Sequence, residues 1–161
     1  MNEISQSEAS NDPPALAGST VLVVDDDARI RRVVRRALER RGSHVIEADD
    51  GKTALRILDD APVDLVITDI FMPNIDGLAL ILDIRKVYPE TKVIAISGGS
   101  EAVPGDYLHV AKALGAIKVF QKPLDLEALV AAVEENFGVK EVEDQSNMPT
   151  DRFADTPASK L

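Results

Sequence analysis

The 161 residues contain no cysteine. That removes disulfides, thiolate nucleophiles and cysteine-ligated zinc together. Histidine is nearly as scarce: His44 and His109 stand far apart in the chain and offer no zinc site either. No apolar run approaches the about 18 residues that a membrane-spanning helix needs. The opening stretch, MNEISQSEASNDPPALAGS, has neither the basic flank nor the apolar core of a signal peptide. An excess of positive charge is also missing. The formal net charge is −10, which argues against nucleic acid as a partner. With 45% hydrophobic residues the chain can bury one core and little more. The default reading is a soluble cytoplasmic protein.

The ends differ from the middle. Residues 1–19 carry three acids and no lysine or arginine, and residues 138–161 carry five acids, three bases and two prolines. Both are poor in large apolar residues. Composition therefore places disordered tails at 1–18 and 139–161 around one domain at 19–138. Solubilising tails are the simpler account, docking peptides the sharper one.

The middle alternates short β-branched runs with longer amphipathic ones. TVLVV (20–24), HVIE (44–47), DLVIT (64–68), KVIAI (92–96) and IKVF (117–120) read as strands. Ile30, Val33, Val34, Ala37 and Leu38 form one helical stripe within 28–41, stopped by Gly42. Ala54, Leu55, Ile57, Leu58 and Ala61 form a second. Further helices are expected over 77–87, about 106–114 and 125–138, the last opened by Asp125 as N-cap. Five strands alternating with five helices imply an α/β fold, a parallel sheet covered on both faces. In such sheets ligands bind at the carboxyl ends of the strands.

Chemistry stands at those ends. The first strand runs into Asp25, Asp26 and Asp27, the third ends in Asp69, the fourth in Ser97, and the fifth just before Lys122 and Pro123. Each has a plain alternative. Asp26 or Asp27 can cap the following helix, Asp69 can be a turn residue, and SGGS a flexible loop. Four coincidences at one edge are harder to dismiss than one. Clustered carboxylates cannot all stay ionised without compensation from a lysine, a hard cation or both, and oxygen ligands suit Mg²⁺.

These residues, in this order, resemble the receiver domain of two-component response regulators. The motifs are VLVVDDD, LVITDIFMPNIDG, IAISGG and GAIKVFQKPL, spanning about residues 20–137. The resemblance implies a flavodoxin-like, doubly wound five-stranded sheet of order 2-1-3-4-5. It implies Asp69 as phosphoryl acceptor, with Asp25, Asp26, Asp69 and the backbone carbonyl of Phe71 as Mg²⁺ ligands. Ser97 becomes the hydroxyl that hydrogen-bonds the phosphoryl group, and Lys122 the cation that pairs with it. The implied donor is a histidine kinase or histidine phosphotransfer protein. The implied output is contact with a downstream protein, with no DNA-binding output domain. Family members often form a homodimer through the fourth helix, fifth strand and fifth helix.

Three departures stand out. The aromatic that the family usually carries three residues before the lysine is replaced by Val119. Phe120, one place later, should point to the other face of the sheet. The stretch after Ser97 is longer than usual and holds Gly98, Gly99, Pro104 and Gly105, either a modified signalling surface or a tolerated insertion. Phe71 and Gly99 occupy positions that in the family modulate dephosphorylation. Neither side chain can orient water, so slow self-hydrolysis is expected.

Residues 29–41 hold seven arginines, Arg29, Arg31, Arg32, Arg35, Arg36, Arg40 and Arg41. They make either a docking face for an acidic partner or a solvated helix face. Two other functions compete with the switch. One is a phosphohydrolase of the haloacid dehalogenase type, which wants a second acid two places after the nucleophile where this chain has Phe71. The other is a receiver fold kept only as a scaffold, which would be expected to have lost part of the site.

Overall fold

The computed structural model describes residues 14–72, 76–98 and 106–137. Each β-branched run becomes a strand: β1 (Thr20–Val24), β2 (His44–Ala48), β3 (Leu65–Asp69), β4 (Lys92–Gly98) and β5 (Lys118–Lys122). All pairings are parallel and the order is β2-β1-β3-β4-β5, as expected. Strands β4 and β5 run further than their apolar runs suggest. Ser97 pairs with Gln121 and Gly98 with Lys122, because backbone pairing does not require apolar side chains. The helices are α1 (Ala28–Glu39), α2 (Gly51–Asp60), α3 (Gly77–Val87), α4 (Asp106–Leu114) and α5 (Leu126–Phe137). None is long and apolar enough to cross a membrane.

The two-residue period of the strands sorts the core into two layers. Val21, Val23, Leu65, Ile67, Ile94 and Ile96 pack beneath α1 and α5. Leu22, Val24, Val66, Val93 and Ala95 pack beneath α2, α3 and α4. Each large side chain buried here stabilises the fold by about 1.5–3 kcal/mol. Val119 faces the α2–α3–α4 layer and Phe120 the α1–α5 layer, so Phe120 is on the side opposite to Val119.

Aspartates start four helices. Asp27 accepts from Arg29 N, Asp50 from Thr53 N, Asp76 from Ala79 N and Asp125 from Ala128 N. Each such cap contributes about 1 kcal/mol. Of the two candidates for the first cap, Asp27 holds the position.

The expected domain boundary at residue 19 starts too late. Leu16 is 1% exposed and packs with Val21, Val34 and Leu38. Its N–H donates to the Arg41 carbonyl at 2.9 Å, and its own carbonyl accepts from Ser19 Oγ at 2.7 Å. Pro14 lies against Gly42, whose φ of +91° suits glycine and whose missing Cβ leaves room for the proline ring. One leucine in a polar stretch is too weak a signal to overturn composition. The expected tails otherwise lie outside the described residues, as do Gly138, Pro73 and the long loop at 99–105.

Gly77 opens α3 against the back of β3. A Cβ there would fall 2.0 Å from the Asp69 carbonyl oxygen and 2.7 Å from Ile70 Cα. Those are backbone atoms, so they cannot swing aside.

Two outcomes follow for stability. Leu16→Ala should cost about 2–5 kcal/mol in chemical denaturation, the scale of a core leucine, where a tail residue would cost nothing. Gly77→Ala should cost about 1–3 kcal/mol by overpacking, and in the folded variant it should displace the end of β3.

Candidate functional site

The carboxyl edge of the sheet gathers what the sequence scattered. Asp25 leaves β1, Asp69 ends β3 and Lys122 ends β5. The alternation along each strand gives these three the parity of the α1–α5 layer, while Ser97 on β4 has the opposite parity. Lys122 Nζ stands 3.0 Å from Asp25 Oδ2 and 3.3 Å from Asp69 Oδ2. One oxygen from each of Asp25, Asp26 and Asp69 lies within 4.8 Å of the others. Asp25 is 1% exposed and Asp69 4%, whereas Asp26 is exposed. Ser97 lies one residue beyond Ile96, the β4 residue paired with Asp69, and is buried.

Burial and repulsion set the electrostatics. Burial pushes the Asp25 carboxyl above its ordinary pKa, against the Asp27 N–H and Lys122, which work to lower it. Burial also raises Asp69, and the neighbouring Asp25 charge adds to the effect. Burial works against the Lys122 cation, but the two carboxylates outweigh it and its pKa is raised. Two carboxylate charges within 4.8 Å repel by roughly 3–4 kcal/mol at an effective dielectric near 20. Lys122 offsets only part of this. Although Asp25 Oδ2 is buried and ion-paired to Lys122, it accepts no well-directed hydrogen bond.

That donor set fits a hard divalent cation. Three carboxylates against one ammonium leave two negative charges, the number such a cation carries. The donors are all oxygen, which suits Mg²⁺. The Phe71 N–H donates to Asp69 Oδ1 at 3.3 Å, which holds the backbone of residue 71 beside the same carboxylate. Asp27 stands apart: it caps α1, pairs with Arg29 at 3.0 Å, and its carboxyl is lowered to about 2 by that arginine. Gly99 lies outside the described residues.

Two further residues position the site, Gly77, the last residue of the LVITDIFMPNIDG motif, and Arg31, which no motif contains. Gly77 presses on the Asp69 backbone, and its N–H donates to the Ile70 carbonyl at 2.8 Å. Arg31, read only as one arginine of seven, turns inward: its Nη1 donates to the Asp25 carbonyl at 2.6 Å. Its place on the apolar side of the α1 stripe, next to Ile30, was the available signal. The other arginines divide. Arg35 pairs with Glu39 and Glu47, and Arg41 with Glu134. Arg32, Arg36 and Arg40 form no ion pair among the described residues and lie exposed.

Comparison with known proteins points one way. A family model of the response regulator receiver domain matches residues 21–134. The DNA-binding transcriptional regulator NtrC of Azospirillum brasilense is 37% identical over 119 residues, 74% of this chain and 24% of that protein. The sensor kinase CckA of Brucella abortus is 37% identical over 74% of this chain and 13% of its own length. This chain thus spans about a quarter or less of those two relatives. It covers 92% of the response regulator receiver protein CpdR of Brucella abortus, at 35% identity over 71% of this chain. Among solved structures, the receiver domain of NtrX from Brucella abortus matches with a TM-score of 0.67 and 33% identity, over 73% of this chain and 97% of that one. The chain belongs to the response regulator receiver domain family.

Proposed function

We propose that this receiver accepts a phosphoryl group on Asp69 from a phosphohistidine donor in a Mg²⁺-dependent reaction, and signals by protein contact. The observation that carries the reading is the convergence of Asp25, Asp26, Asp69 and Lys122 at one edge of the sheet. A carboxylate oxygen of Asp69 attacks phosphorus. The P–N bond of the donor breaks and its electron pair returns to the imidazole. Asp25, Asp26, Asp69 and the Phe71 carbonyl would hold Mg²⁺, which would supply positive charge for the transferring group. Lys122, beside Asp69 Oδ2, adds a second positive charge and a hydrogen-bond donor. Ser97 supplies a hydroxyl from β4. No acid stands two residues after Asp69 to activate water for a phosphohydrolase; Phe71 occupies that position. The aspartyl phosphate therefore persists.

The donor has a landing place. A cavity of about 250 Å³ opens between α1 and the segment after β5, lined by Ile30, Val33, Val34, Pro123, Leu124 and Leu126, with Arg29 and Lys122 at its edge. A mostly apolar hollow with the site's lysine in its lining suits a helix that carries a phosphohistidine. The exposed arginines beside it speed encounter with an acidic partner. A histidine kinase or histidine phosphotransfer protein meets that description.

Incubation with acetyl phosphate and Mg²⁺ should add one phosphoryl mass, and Asp69→Asn should abolish it. A phosphate ester turned over continuously would sink the switch reading, and no modification by any donor would leave a scaffold. Asp26→Asn should slow the modification by about 10-fold or more through lost metal affinity, whereas Asp27→Asn should leave it nearly intact. Equal losses would show that the three aspartates are wrongly divided.

Metal-free stability should also depend on pH. The unfolded chain releases the Asp25 and Asp69 protons at ordinary carboxylate pH, while the folded chain holds them to higher pH. Stability therefore falls as pH climbs through that window. Lys122 works differently, its contribution being lost only when pH rises through its own raised pKa. Asp69→Asn should flatten the acid-side slope and raise the metal-free melting temperature. Mg²⁺ at about 100 times its Kd should add about 2.7 kcal/mol. Thermal scans with and without a chelator read both effects.

A further inference from the structure

Phe71 is a large apolar side chain beside three carboxylates, and it is 41% exposed. Its backbone is tied to the reacting group, since its N–H donates to Asp69 Oδ1. Its ring is tied elsewhere. It meets Tyr107 of α4 edge to face, with centroids 4.9 Å apart and planes at 69°, the single aromatic pair among the described residues. One residue thus touches the acceptor carboxylate with its main chain and a different helix with its side chain.

The helix it touches is lightly held. Buried residues on α1 include Val34 and Leu38, and on α3 Leu80, Ile81 and Ile84. On α5 they include Leu129, Val130 and Val133. Helix α4 contributes Ala111 alone to the fully buried core, with Tyr107 and Leu114 only partly buried against it. Beneath it, β5 offers Val119, a short side chain. An element with so little buried apolar surface shifts at low cost, and packed helices do so by sliding. A single ring contact is then a large share of what fixes its position.

Resting on the phosphoacceptor reading above, we propose that Tyr107 is a positioning residue. Its ring ties α4 to the backbone that carries Asp69, so that the phosphorylation state of Asp69 biases where α4 sits. Converting the carboxylate to an acyl phosphate changes the charge and the geometry that the Phe71 N–H faces. The Phe71 ring moves with its backbone and α4 follows through Tyr107. Coupling of this kind is reciprocal: whatever binds α4 changes the site by the same factor. One aromatic contact is worth about a 2- to 10-fold change in such an equilibrium.

The full chain tests this by amide NMR, with intact mass reporting the extent of phosphorylation by acetyl phosphate and Mg²⁺. Amide shifts of Ala111 and Leu114 are compared at matched phosphoryl content in three proteins. Wild type should show clear shifts on phosphorylation. Tyr107→Leu, which keeps an apolar side chain on the core but removes the ring, should show less than half of them. Tyr107→Phe, which keeps the ring and loses the hydroxyl, should restore them. Full-sized α4 shifts in a phosphorylated Tyr107→Leu would overturn the proposal while leaving the switch reading intact, and so would a phosphorylated wild type with a silent α4. A wild type that takes up no phosphoryl group would overturn both.

Discussion

Lys122 lies within 3.3 Å of both Asp25 and Asp69, and this bridge from β5 across to β1 and β3 holds the carboxyl edge of the sheet against carboxylate repulsion. The bridge is incomplete by charge. Two carboxylates are nearly sealed from water, a third stands beside them in solvent, and one ammonium cannot neutralise all three. Burial raises the carboxyl pKa at both buried aspartates, and at Asp69 the neighbouring Asp25 charge adds to it. A site in that condition gains from a divalent cation. The same imbalance that costs stability in the bare protein would favour binding of such a cation.

Rigidity is placed to maintain that tension. Strand β3 is buried along its whole length, so Asp69 cannot retreat along its own strand. Gly77 packs against its carbonyl from behind, where any larger residue would collide with main chain. Arg31 reaches the Asp25 carbonyl from α1, and the Asp27 N–H holds Asp25 Oδ1 at 2.8 Å. The main chains of the two buried aspartates are thus held by contacts that do not depend on side-chain charge, and the Asp27 N–H adds one that does. Lys122, partly exposed on an outer strand, has freedom to follow a change in that charge.

Most of this was legible in the chain, for identifiable reasons. Strands buried on both faces read as unbroken β-branched runs, and aspartates at strand ends pointed to the α1 cap and to the carboxylate cluster. Parity correctly separated Val119 from Phe120. What failed to show was whatever depends on tertiary neighbours. Leu16 is a lone apolar residue among prolines and alanines, and only the hollow beside Gly42 and α1 makes it core. Arg31 is spelled like its six neighbours, and only its position on the helix turns it inward. Ser97 and Lys122 fall inside strands because ladder bonds are indifferent to side-chain polarity. The Phe71–Tyr107 pair joins residues 36 positions apart, and no local pattern encodes it.

The sheet therefore separates two kinds of packing. On one face α1 and α5 bury leucines and valines deeply, and α1 also anchors the Asp25 loop. That face carries the parity of Asp25, Asp69 and Lys122, and the apolar hollow between α1 and the segment after β5 lies on it. On the other face, α2 and α3 are well seated but α4 rests on an alanine and partly buried neighbours. On the proposed reading a phosphoryl group would add charge at the edge shared by both faces, and the element with least buried surface to lose would yield. Where the family's usual aromatic is replaced by Val119, the ring contact available to carry the change lies on the loop side, at Phe71. On the proposed reading, input and output would use opposite faces of one sheet, with Asp69 as the residue common to both.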